Sequence, residues 1–326
     1  MILAEFDDRI RFVTQPDHAA LAGRLAELWG GTGFARPTPT AAVRLAVHAH
    51  DDGWWPRDRR PRLAADGSPQ AFHELPPAEW IELYGRGIED VARVDRYAGL
   101  LVSMHGTGLR RRRYGLSPSW GDTPSAFREF VDREERRQRA LAVELREDPG
   151  DDRLSAADVG LLDSLHETGR APSEREASGR TPDEGTSSGR TPDGSGGSGG
   201  SGELGGSGTT DGDASQLWRN YRLLAALDAL ALRLCAATPS SDPAPSDAIT
   251  VDRAPTDSET ADATITATPV EATEYRLSPY PFRDSPVVVN VPSRTVDRGS
   301  FEDEKTLLRR YYGADTTDIR VMLRPE

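Results

Sequence analysis

Apolar positions over the first 167 residues recur mostly at helical spacing, broken by short polar or glycine-bearing stops. Residues 2–14 instead alternate weakly around Asp7-Asp8, which predicts a short hairpin. Gln15-Pro16-Asp17 opens a helix predicted to run to about Trp29, with Asp17 as N-cap and Gly30-Gly31 as the stop. A second helix is predicted from Ala41 to Asp52, ending at Gly53. Residues 56–77, rich in proline and arginine, read as loop. Helices then follow over 78–93 and, capped by Asp95, through His105. A long charged helix over 125–147 takes its buried stripe from Phe127, Phe130, Val131, Leu141 and Leu145, and Ser155 caps one more through about Glu167.

The pattern then fails. From Thr168 to Ser215 the only large aliphatic residue is Leu204, and Ser-Gly-Arg-Thr-Pro-Asp occurs twice, from Ser178 and from Ser188. Such a stretch cannot bury enough apolar surface to offset its ordering entropy, so 168–215 is predicted to be a disordered Gly/Ser/Asp-rich insert. Residues 216–237 restore a strongly apolar helix, predicted to complete the core begun by 1–167. Residues 238–273, dominated by Asp, Thr, Pro and Ala, read as an acidic low-complexity connection. Residues 274–326 are β-rich, with a strand over 286–291, a second over 319–323, and a short helix over 307–312 between them. The expectation is a mainly α fold, a helical core with a small β appendage formed by the N- and C-terminal segments.

Charge narrows the function. The formal net charge is −13 and the pI about 5.0, which disfavours a general nucleic-acid partner. Lys305 is the only lysine. Molar salt shortens the Debye length to about 3 Å and mutes the repulsion of such a surface, so a salt-adapted, halophilic protein is expected. Cys235 is the only cysteine, which excludes an intrachain disulfide and a cysteine-rich zinc site. No basic region followed by an apolar run opens the chain, and no stretch of about 18 apolar residues occurs, so neither a signal peptide nor a membrane span is expected. A cytoplasmic location follows as the expectation.

Three predicted helices each turn one imidazole towards apolar neighbours. His18 shares a face with Leu21, Ala22 and Leu25; His50 with Val43, Ala46 and Val47; His105 with Ala98, Leu101 and Val102. Asp228 falls on the stripe of Leu217, Tyr221 and Leu224, so a carboxylate also points inward and needs a partner. Asp51, beside His50, reaches the same region. A divalent cation (manganese, zinc, iron or nickel) satisfies all five groups at once. The competing reading is a set of core histidines bonded to carbonyls, with Asp228 paired to an arginine. Trp54 and Trp55 fit packing at a helix end, His73 sits in a loop, and His48 and His166 give no signal.

The ordered set His18, His50-Asp51 and Asp228 resembles the HD superfamily of metal-dependent phosphohydrolases, whose all-helical core binds metal through His, His-Asp and Asp in that order. The wider string Gln15-Pro16-Asp17-His18, His50-Asp51-Asp52-Gly53-Trp54 and His105-Gly106-Thr107-Gly108-Leu109 resembles an uncharacterised family of no assigned function from bacteria and halophilic archaea. That second resemblance covers most of the ordered chain, including Asp228 and Pro279-Tyr280-Pro281-Phe282. The HD resemblance implies an HD-like core with metal on His18, His50, Asp51, His105 and Asp228. It further implies a bound water oriented by Asp52 and a small phosphorylated substrate, a phosphomonoester or nucleotide, clamped by Arg110 and Arg113. Two other functions stay open: a di-iron oxygenase, with His73 completing its ligands, and a non-enzymatic small-molecule-binding or interaction protein whose histidines pack.

Overall fold

The computed structural model describes residues 1–116, 124–147, 150, 153–171, 215–238, 244–258, 261–299 and 301–326. The predicted insert falls almost wholly outside these residues. The chain opens with a hairpin of β1 (Ile2–Phe6) and β2 (Arg9–Val13), turned at Asp7, whose φ is 51°. Helix α1 (Gln15–Leu28) follows, with Pro16 in its first turn. Its N-cap is Thr14, whose hydroxyl accepts from the Asp17 amide, and not Asp17 as expected; Asp17 sits in the first turn, where a carboxylate favours the helix dipole.

Helix α2 (Thr40–Ala49) ends at His50 and passes through a 3₁₀ turn, Asp52–Trp54, into the short α3 (Trp55–Asp58). Then come α4 (Pro77–Val94), α5 (Arg96–Gly108) capped by Asp95, α6 (Arg128–Glu147), and α7 (Ala156–Thr168) with a Ser155/Asp158 capping box. Helix α8 (Gln216–Ala236) is buried almost all round, as its apolar composition requires. It packs on α1, α2 and α5 and, on its other side, on β1 and the strand β3 introduced next.

Strands β3 (Ile249–Pro255), β4 (Asp262–Glu271), β5 (Glu274–Ser278) and β6 (Val287–Asp297) follow, then α9 (Glu304–Gly313) and β7 (Thr316–Pro325). All seven strands join one curled sheet in the order β1-β2-β6-β7-β5-β4-β3, antiparallel except for β5 with β7. The mainly α expectation with a small appendage is therefore wrong: a full mixed sheet backs the helices. The terminal segments do meet, through β2 and β6.

The error lies in 238–273, read as a loose connection and found to hold β3 and β4. Its composition hid a period-two pattern. Ile249, Val251, Ile265 and Ala267 are buried while Thr250 and Thr264 are exposed, and β-branched threonine suits a strand. Among the described residues, no helix is long and apolar enough to cross a membrane.

Candidate metal centre

The groups picked out by helical spacing converge. His18 comes from α1, His50 and Asp51 from the end of α2, His105 from α5 and Asp228 from α8. All three imidazoles and Asp51 are buried, and Asp228 is partly so. The rings of His18 and His50 stand 5.1 Å apart, and those of His50 and His105 5.0 Å apart, both edge to face.

Tautomers follow from the partners. His18 Nδ1 lies 2.6 Å from Gln15 O, and His50 Nδ1 lies 2.7 Å from Val47 O. A carbonyl oxygen only accepts, so each Nδ1 carries hydrogen and a neutral ring keeps its lone pair on Nε2. Those two Nε2 atoms face one oxygen, Asp228 Oδ1, at 3.1 Å from His18 and 3.4 Å from His50. Two imidazole lone pairs thus face one anionic oxygen, which calls for a positive charge beside it. Two groupings, His18/His50/Asp51 and His50/His105/Asp228, keep their donor atoms within 4.8 Å of one another.

A divalent ion fits these residues. Metal–ligand bonds of about 2.1 Å put neighbouring ligand atoms about 3.0 Å apart in an octahedron and about 3.4 Å in a tetrahedron, which brackets the two distances to Asp228 Oδ1. The Nδ1–carbonyl bonds are the outer contacts that orient metal-binding histidines. Buried His50 Nε2 and Asp51 Oδ1 have no hydrogen-bond partner.

The electrostatics answer to the same crowding. Burial works to lower the His50 pKa, but Asp51 and then Asp228 override it and push it up to about 9. Burial works to raise Asp228, yet the facing His18 and His50 imidazoles hold it well below the usual carboxylate range. Burial pushes Asp51 up and drives His105 down to about 3. Without metal, a proton on His50 is the alternative source of positive charge.

Local sequence explains the approach. At Gly53 an added Cβ would stand 2.1 Å from Leu83 O, so only glycine lets the turn after His50-Asp51 lie on the α4 backbone. That contact carries Tyr84 of α4 to Asp51, with which its hydroxyl interacts. Gly108 has the same function at the end of α5, where a Cβ would meet the Tyr221 hydroxyl at 2.1 Å.

The cluster opens into a cavity of about 760 Å³ between the helices and β3. His18, Asp51, His105 and Asp228 line it. Of the run Arg110–Arg113, Arg110 and Arg113 line the cavity. Arg111 instead binds Glu135 through Nε and Nη2 at 2.9 and 2.6 Å, and Arg112 is exposed. The Arg110 guanidinium is held between Trp80 and Phe127, 3.9 and 3.7 Å from the ring centroids. Arg113 is buried and donates to Ala225 O at 3.2 Å. Neither has a carboxylate partner among the described residues.

Other expectations fare differently. Asp52 is not among the lining residues; it is half-buried, and burial pushes its carboxyl up. Trp54 is buried and lines the cavity, and Trp55 is exposed with Arg59 over its ring. His73 lines the cavity but belongs to neither of the donor groupings found among the described residues. His166, which gave no signal, is buried with Nε2 2.8 Å from Gln138 Oε1. Tyr84, Trp80, Phe127, Arg222 and Arg253 were missed. On α4 the stripe of Trp80, Tyr84 and Ile88 reads as plain core, and nothing in the sequence points it at Asp51.

Fold and site together define a helical layer on a curled sheet, with a buried His/Asp cluster that can hold a metal ion at the floor of an arginine-lined cavity. The chain belongs to the family described as protein of unknown function DUF3891, whose model matches residues 1–166 and 202–298 and so spans every residue of the cluster. No curated protein and no solved structure matches the chain. The HD resemblance gains no support from these comparisons.

Proposed function

We propose that the cavity is the active site of a metal-dependent phosphohydrolase acting on a small phosphorylated molecule. The observation that carries this reading is the meeting of two fixed Nε2 lone pairs at Asp228 Oδ1, 3.1 and 3.4 Å away. In it His50, His105 and Asp228, whose donor atoms lie within 4.8 Å of one another, hold the ion, with His18 beside them. When bound, a divalent ion polarises a phosphoryl oxygen and acidifies water. Asp51, with its unpartnered Oδ1, takes the proton of the attacking water at that atom. Tyr84 orients the Asp51 carboxylate. Arg110 and Arg113 offer uncompensated positive charge to the phosphoryl oxygens, and the aromatic cage keeps the Arg110 fork fixed and partly dry.

Elemental analysis of untagged protein, paired with hydrolysis of p-nitrophenyl phosphate in manganese, nickel or zinc, tests the reading. About one equivalent of transition metal and turnover abolished by Asp228→Asn are expected. Protein that retains no metal and shows no turnover with any added ion would refute it and favour histidines that merely pack.

A further inference from the structure

Backbone strain gathers at the cavity. Five described non-glycine residues hold a positive φ: Asp7, Arg112, Arg113, Tyr114 and Arg253. Asp7 turns the first hairpin, where aspartate is tolerated. The other two locations carry large side chains in a region that any Cβ makes unfavourable. Such outliers persist where the surrounding structure enforces them, and they cluster at ligand sites.

Each location puts an arginine on the cavity lining. Arg113, at φ 51°, comes from the helical side in the turn after α5; Arg253, at φ 61°, comes from the sheet side. In β3 the pairing with β4 shifts register between Val251 and Ala254, a bulge of the kind that re-aims a side chain. Asp262 accepts from Arg253 Nε at 2.6 Å and also pairs with Arg222, another lining residue, which fixes both guanidinium groups at the wall. In a chain of net charge −13, the lining holds five arginines against three aspartates, two of which belong to the His/Asp cluster. Arg110 and Arg113 suffice for one phosphate beside the cluster. Arg253 lies on β3 of the sheet, and Arg222 of α8 reaches the same Asp262 from the helical side.

Resting on the phosphohydrolase reading, we infer that Arg253 binds a second anionic group of the substrate, which is thus a small phosphomonoester with another anionic group on its leaving portion. The competing role for Arg253 is structural, as a cross-strand partner of Asp262. Arg253→Gly separates the two, because glycine adopts the same positive φ without strain and the variant folds.

The experiment is calorimetric titration of manganese-loaded protein with fructose 6-phosphate and with fructose 1,6-bisphosphate. Wild type is expected to bind the bisphosphate about tenfold more tightly, the worth of one charge-assisted hydrogen bond. In Arg253→Gly that preference disappears, fructose 6-phosphate affinity stays within about twofold, Tm does not fall, and Arg253→Lys restores part of the preference. A preference unchanged in Arg253→Gly, or absent from wild type that still binds fructose 6-phosphate, would overturn the inference alone. Protein that retains no manganese and binds neither sugar phosphate would sink the underlying reading as well.

Discussion

Asp228→Asn removes the charge at which the two imidazoles meet while keeping the side chain's shape. The carboxylate faces His18 Nε2 at 3.1 Å and His50 Nε2 at 3.4 Å, and its side chain is 14% exposed. Breaking one partner of a buried ion pair costs about 3–5 kcal/mol, and partial exposure places this one near the lower end, about 3 kcal/mol. The metal-loaded comparison is sharper. An ion present at 100 times its Kd stabilises the native state by about 2.7 kcal/mol, or about 5 °C in Tm for a chain of this size. Loss of one of a few ligands weakens affinity enough to erase that gain at the same ion concentration. The assay is a thermal melt of wild type and Asp228→Asn, each with EDTA and with manganese. The expected result is a rise of about 5 °C in wild type and none in the variant. A variant that still gains the full shift, or a wild type that gains none, would show that Asp228 is not a ligand.

Other consequences are open to similar checks. Gly53→Ala forces a Cβ to within 2.1 Å of Leu83 O, so it should destabilise the fold by about 2–3 kcal/mol in a denaturant melt and weaken manganese binding; a silent variant would contradict the close approach of the turn to α4. His166 is held down to about 4 by burial, from an ordinary 6.5, so the unfolded chain binds the extra proton between those values. Its contribution is therefore complete above pH 6.5 and is lost as pH falls towards 4. His166→Gln should flatten the fall of Tm over that window, and an identical slope would refute the assignment. Net charge −13 predicts that Tm rises from dilute buffer to molar potassium chloride, and equal melts would end the case for salt adaptation.

Much of the helical half was legible in the sequence. Helical spacing located α1, α2, α4, α5, α6, α7 and α8 within a few residues, because each buries one long stripe of large side chains. The same spacing turned His18, His50, His105 and Asp228 inward. Strands β3 and β4 were not legible, since their outward positions are largely threonine and charged residues and their inward ones are few. A period of two over five to ten residues, diluted with Pro and Asp, looks like a linker until neighbouring strands supply the hydrogen bonds.

The sequence by itself determined which side chains face the interior, because helical periodicity and burial are local properties of the chain. Only the tertiary structure decided that four helices bring those side chains into one cluster, that Gly53 brings Tyr84 to Asp51, and that Asp52 stays out of the cavity. It alone also put Arg253 of the sheet on the same cavity as Arg113 of the helices. Distance between residues 210 positions apart, as His18 and Asp228 are, is set by packing between elements, and no local pattern encodes it.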